Sequence, residues 1–199
     1  MKMQGNTILI TGGGTGIGRA LAHRFHDIGN EVIVAGRRRA ALEETIAGRE
    51  RMHAELLDVA DPDAIREFSR HVTATYSKLN LLINNAGVMP LENAGEPRDL
   101  RDAEAVITTN ILGPIRLTDV LLDYLTAQPD SAIVNVTSGL AFVPTKRAPT
   151  YSATKAAMHS YTLTLREALK GRVEVIELIP PGVQLTSPLD KRVTPLINR

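Results

Sequence analysis

The chain contains no cysteine and no tryptophan, and only three phenylalanines among its 199 residues. Without cysteine it can form no disulfide and no thiolate metal site, and it has no cysteine nucleophile. That composition suits the cytoplasm, where thiols stay reduced. An excess of charge is lacking too: 23 Lys and Arg stand against 22 Asp and Glu, a net +1 with His neutral. Such a balance gives no reason to expect a nucleic-acid partner or an acidic membrane surface. No unbroken apolar run approaches the roughly 18 residues of a membrane span. Met1 to Gly5 leads straight into a strand-like run, with no signal-peptide pattern. The five histidines (His23, His26, His53, His71, His159) form no ligand constellation, so no metal is expected. Asn135-Val136-Thr137 spells a glycosylation sequon inside an apparent buried strand, where it reads as coincidence.

What the chain does have is a regular alternation of short apolar runs with amphipathic segments. That pattern predicts a doubly wound α/β fold of the Rossmann type, with a parallel sheet and a single dinucleotide-binding domain over 1–199. Strands are expected near 6–11, 31–35, 52–57, 79–84, 131–137 and 173–179. Helices are expected near 16–29, 38–48, 61–77, 99–127 and 150–170. Asp61-Pro62 is a good helix start, Asp as cap and Pro at the first helical position. Pro114 falls inside the 99–127 helix, lacks the N–H that would bond the Asn110 carbonyl, and predicts a kink there.

Thr11-Gly12-Gly13-Gly14-Thr15-Gly16-Ile17-Gly18 joins the first strand to the first helix. Glycines there permit a tight turn and close approach of a ligand, and the helix N-terminus offers free N–H groups to phosphates. The second strand ends in Gly36-Arg37-Arg38-Arg39 rather than in the acidic residue that binds a ribose 2′-hydroxyl. Guanidinium groups attract a 2′-phosphate, so NADP(H) is favoured over NAD(H), with Arg37 the first candidate contact and Arg38 the second. Asn84-Asn85-Ala86-Gly87 closes the fourth strand, Ser138 the fifth, and Tyr151 and Lys155 lie one helical turn apart. A free tyrosine, with a pKa of about 10, is a poor proton shuttle at neutrality. A neighbouring cation would favour its phenolate, and Ser138 could hydrogen-bond a substrate oxygen. Each residue also has an ordinary reading: Ser138 as a turn residue, Tyr151 as packing, Lys155 as a surface charge.

Taken together, the glycine loop, the Asn-Asn-Ala-Gly motif, Ser138 and Tyr151-Ser-Ala-Thr-Lys155 resemble the short-chain dehydrogenase/reductase family over essentially the whole chain. The resemblance implies an NADPH-dependent carbonyl reductase, reversible as an alcohol dehydrogenase, acting on a small ketone or aldehyde. Tyr151 would be the general acid/base, with Ser138, Lys155 and Asn110 completing the site. Lys155 would bond the nicotinamide ribose, and the Asn110 carbonyl would hold a water of the proton relay. Gly12, Thr15, Gly16, Ile17 and Gly18 would cradle the cofactor. Asp58 and Val59 would lie at the adenine, and Asn85, Ala86 and Gly87 beside the cofactor. Pro181, Gly182 and Thr186 would meet the nicotinamide and phosphates. The 99–127 and 150–170 helices, with Leu121, Leu122, Leu125, Ala156, Ala157 and Leu163 beyond one core face, would pair across a homodimer axis. Pro90 to Pro97 and Leu140 to Thr150 would line the pocket. The family usually runs on through a substrate lid and a seventh strand, so this chain shows six strands with the seventh apparently absent. A non-catalytic NADP(H)-binding or sensing protein on the same fold is the alternative, and an isomerase or epimerase a weaker third.

Overall fold

Rows of aliphatic side chains running across the strands organise this fold. The computed structural model describes residues 2–181, and six strands pair there in parallel. They are β1 (Thr7–Thr11), β2 (Glu31–Gly36), β3 (Met52–Leu56), β4 (Leu79–Asn84), β5 (Ala132–Val136) and β6 (Glu174–Leu178), in the order β3-β2-β1-β4-β5-β6. Leu9 stands beside Ile33 and Leu82, Leu82 beside Ile133, and Ile133 beside Val175. Because side chains alternate along a strand, this row belongs to one face. There it packs with Phe68, Val72, Leu117, Leu121 and Leu125. Ile8, Ile10, Val32, Val34, Leu81 and Ile83 point to the opposite face and meet Ala22 and Leu42. With both faces covered, strands read as apolar runs, and every strand lies within one residue of its expected limits.

The helices are α1 (Gly16–Asp27), α2 (Arg39–Ile46), α3 (Pro62–Thr75), α4 (Arg101–Ile107), α5 (Gly113–Thr126) and α6 (Pro149–Ala168). Asp61 caps α3 as expected, accepting from the N–H groups of Asp63 and Ala64 at 2.8 and 3.2 Å.

Two expectations are corrected. The 99–127 segment is helical without a break over 101–126, as expected, but its irregularity is a π-helical turn rather than a proline kink. A π-helical turn, Thr108–Leu112, separates α4 from α5, and the Gly113 N–H reaches back five residues to the Thr108 carbonyl. Pro114 directly follows that turn, and its missing N–H falls where the ladder changes register. The ladder therefore slips by one residue, as π-bulges do. The second correction concerns the residues expected beyond the core face. Leu121 and Leu125 are completely buried, whereas Leu163, Ala156 and Ala157 on α6 are exposed as expected, together with Ile107, Leu112 and Val120. The 101–126 stretch is long and apolar enough by composition to cross a membrane. Its Leu117, Leu121 and Leu125 instead fill the core beneath the sheet.

At the opposite end of the sheet from the glycine loop, the β1–β4 register shifts between Thr7 and Ile8. Three buried asparagines repair the break. Asn80 Oδ1 takes the Thr7 N–H at 3.1 Å, Asn80 Nδ2 donates to Asn6 Oδ1, and Asn30 Oδ1 accepts from both nitrogens of Asn6 at 2.9 Å. The sequon residue Asn135 is 1% exposed, and its Nδ2 donates to Thr162 Oγ1, so the sequon belongs to the core.

Candidate active site

β1 and β4 are neighbours whose connections leave in opposite directions, the arrangement that opens a ligand crevice at the carboxyl ends of a parallel sheet. The glycine loop turns there. Gly12 has φ +67°, and a Cβ on it would come within 2.9 Å of Ala86 Cα. A Cβ on Gly18 would stand 2.3 Å from the Gly12 oxygen and 2.5 Å from Asn85 Nδ2. Gly16 is glycine for another reason, a φ of +55° in open space. Thr11 binds this loop to the end of β4. Its hydroxyl donates to the Ile83 carbonyl and accepts from the N–H groups of Asn85 and Ala86 at 3.0 and 3.1 Å. Asn85 Nδ2 donates back to the Thr11 carbonyl at 2.9 Å. Asn85 thus has a structural task that its motif alone did not disclose.

The start of α1 is open to an anion. Thr15 makes no side-chain cap bond and the first turn holds no acidic residue. Arg38, at the start of α2, donates from Nη2 to Thr15 Oγ1 at 3.2 Å, whereas Arg37 is exposed and has no side-chain partner among the described residues. Beneath the loop, Arg19 donates to the Gly14 carbonyl at 3.0 and 2.7 Å and grips both oxygens of Glu44 at 3.0 Å. Thr45 Oγ1 donates to the same carbonyl. This strut was missed in the sequence, although Arg19 directly follows Gly18. His23 and His26 are engaged with the carbonyls of Thr45 and Glu50, both at 2.8 Å.

Across the crevice, three residues converge. A Cβ on Gly87 would lie 3.3 Å from Asn110 Oδ1 and 3.8 Å from Lys155 Nζ. Asn110, in the π turn, is buried and spans two elements. Its Oδ1 accepts from the Val88 N–H, and its Nδ2 donates to the Val88 carbonyl and to Thr154 Oγ1 on α6. Lys155 is 5% exposed, donates to the Val136 carbonyl at 2.8 Å, and lies 5.6 Å from the centre of the Tyr151 ring. Ser138 lies two residues beyond β5 and caps the short 3₁₀ turn Gly139–Ala141 by accepting from the Leu140 N–H.

Burial pushes the Tyr151 phenol above its ordinary pKa, and the Ser138 hydroxyl facing it works the other way. Burial also pulls Lys155 down, to about 8. Lys155 is not among the causes of the phenol's upward shift. Its ammonium is turned onto a backbone carbonyl and lies beside the aromatic ring rather than at the phenol oxygen.

Of the remaining candidates, Asp58 accepts from the Ala60 N–H in a turn, and Val59 is buried against Gly113. Pro181 is exposed at the end of the described residues, and Gly182 and Thr186 lie outside them. A groove of about 460 Å³ opens nearby, bounded by Leu140, Ala141, Pro144, Lys146, Ser152 and Ala156. Those α6 residues face a different side of the helix from Tyr151 and Lys155. Pro90 to Pro97 do not reach this groove.

Known proteins share this fold. The sequence profile described as short chain dehydrogenase matches residues 6–195. The uncharacterized oxidoreductase DltE of Bacillus subtilis is 43% identical over 185 residues, covering 92% of this chain and 73% of that protein. A short-chain dehydrogenase/reductase from Burkholderia phymatum in complex with NAD superposes with a TM-score of 0.83 at 27% identity, covering 90% of this chain and 66% of that one. The closed form of a serine dehydrogenase complexed with NADP+ gives 0.82 at 30% identity, covering 87% and 71%. The chain thus spans roughly two thirds to three quarters of these relatives' lengths. With a profile match across nearly all of its length and the same parallel sheet, the chain belongs to the short-chain dehydrogenase family, and with it to the oxidoreductases acting on CH–OH and C=O groups.

Proposed function

We propose that this protein reduces a ketone or aldehyde with NADPH and oxidises the corresponding alcohol in reverse. The observation that carries the reading is the convergence of Gly87, Asn110 and Lys155 beside Tyr151, across the crevice from a glycine loop in which Gly12 and Gly18 leave no room for a side chain.

The residues present fit the dinucleotide. Gly12 and Gly18 stand where a Cβ would collide with backbone, and the α1 N-terminus has unclaimed donors for phosphate. Thr15, Gly16 and Ile17 would line the same turn, with Ala86 and Gly87 opposite and Asp58 and Val59 farther along. Arg37 and Arg38 would hold a 2′-phosphate, which favours NADP(H), although solved relatives carry either cofactor. When bound, the nicotinamide donates or accepts the hydride.

The protein's own groups manage the proton. Tyr151 gives its phenol proton to the substrate oxygen as negative charge develops there, and Ser138 donates a hydrogen bond to the same oxygen. Lys155, with a pKa of about 8, is still a cation at neutral pH and favours the phenolate left behind. Asn110 holds Val88 and Thr154 in place, and its backbone carbonyl is the proposed anchor of the water that returns the proton.

The test is a panel of ketones and aldehydes with NADPH, using the parent protein and Tyr151→Phe. Collapse of turnover with cofactor binding retained supports the assignment, whereas equal turnover overturns it. NADPH binding with no turnover across the panel favours a non-catalytic cofactor-binding role. We further propose a homodimer through the exposed apolar residues Ile107, Leu112, Val120 and Leu163, about 40% exposed each. Light scattering at micromolar concentration tests it, and a monomer refutes it.

A further inference from the structure

A buried carboxylate ties three segments together one residue away from Tyr151. Glu92 is carried by the loop after β4, yet its side chain is 0% exposed. Its Oε2 accepts from the Thr150 hydroxyl at 2.6 Å, from the Thr150 N–H at 3.3 Å and from Arg98 Nη2 at 2.8 Å. Its own N–H donates to the Arg147 carbonyl at 2.9 Å. Arg98 in turn reaches both oxygens of Asp102 on α4, at 2.8 and 2.7 Å, and donates to Thr150 Oγ1 at 3.3 Å. The second oxygen of Glu92 is buried with no partner.

This arrangement is hard to explain as packing. A buried ion pair is commonly no more stable than apolar side chains of similar volume, and an unsatisfied carboxylate oxygen adds a further cost. What a carboxylate supplies and an aliphatic chain cannot is direction. α6 begins without a local cap, since Ala148 offers no side-chain acceptor and Pro149 brings no N–H. The Thr150 N–H finds its acceptor 58 residues away in the sequence, on Glu92. Both bonds fall on Thr150, the residue before the proposed acid. An apolar contact would let the first turn of α6 slide or rotate, but these bonds fix it against the loop and α4.

We infer that Glu92, acting through Thr150, is a positioning residue that sets where Tyr151 meets the substrate oxygen. The inference rests on the reading of Tyr151 as general acid/base. A small displacement of a reacting group can cost roughly a hundredfold in rate, so the effect belongs in kcat.

The experiment compares Thr150→Val, Thr150→Ser and Glu92→Gln, using the best-turned-over carbonyl compound of the panel above and NADPH. Thr150→Val and Glu92→Gln should lower kcat roughly tenfold or more, with the KM for NADPH changed less than about twofold. Thr150→Ser, which restores the hydroxyl, should recover kcat to within about threefold of the parent. If kcat stays within about twofold in Thr150→Val, or if kcat and NADPH affinity fall together, the positioning role is overturned. Should Glu92→Gln fail to fold, the two Thr150 variants decide the matter. Tyr151→Phe, measured alongside, separates the two claims. Unchanged turnover there overturns the catalytic reading, whereas collapse there with Thr150→Val unimpaired overturns only the role of Glu92.

Discussion

Lys155 donates from Nζ to the carbonyl of Val136 at 2.8 Å, its one hydrogen-bond acceptor among the described residues, and is only 5% exposed. Its folded pKa of about 8 lies below the ordinary 10.5. Below about 8 the native and unfolded chains both hold this proton, and the penalty of burying the charge applies in full. Between those values the unfolded chain holds a proton that the native protein has released, so this group makes stability rise with pH. Lys155→Met should therefore raise the urea midpoint at neutral pH, flatten the rise above about 8, and abolish turnover. A variant no more stable than the parent, with the same pH slope, would sink the argument.

Gly16 and Gly18 should respond differently to alanine. At Gly16 only the left-handed backbone is strained, a cost of roughly 1–2 kcal/mol, and NADPH should still bind. At Gly18 the new methyl would press on the Gly12 carbonyl and on Asn85, displacing the loop. We expect Gly18→Ala to weaken NADPH binding by at least about tenfold, read from nicotinamide fluorescence. Equal effects of the two changes would contradict this distinction.

Cofactor preference should reside in the arginines at the end of β2. Replacing Arg37 and Arg38 with alanine removes charge-assisted bonds to a 2′-phosphate, each worth about 1.5–3 kcal/mol. NADPH affinity should fall by about tenfold or more while NADH affinity holds. Parallel losses for both cofactors would place the preference elsewhere.

Asn30 tests the far end of the sheet. It is completely buried, accepts two bonds from Asn6, and donates to the carbonyls of Met3 and Phe25. Asn30→Ala strands these partners and should cost about 3 kcal/mol of folding stability, measured by urea denaturation. Because the change is remote from the crevice, kcat at a permissive temperature should not move.

Much of this molecule can be read from its letters because a parallel sheet covered on both faces leaves apolar runs such as Thr7–Thr11 and Leu79–Asn84. The cap at Asp61 was equally plain, since its partners are two and three residues away. Long-range pairings left no such trace. Nothing near Glu92 announces that Thr150 is its partner, and the π turn before Pro114 depends on a ladder register that residue types do not encode. The direction of the Tyr151 shift was missed because burial is a property of the assembled site.

The reciprocal bonds between Thr11 and Asn85 weld the glycine loop to the end of β4 as one solid piece. Adjusting that loop to suit a different dinucleotide would drag along Gly87, which faces Asn110 and Lys155. The exposed Arg37 lies outside the weld. Anyone redesigning cofactor choice should therefore work at the tip of β2, where the adenosine end can be altered without disturbing the machinery that handles the proton.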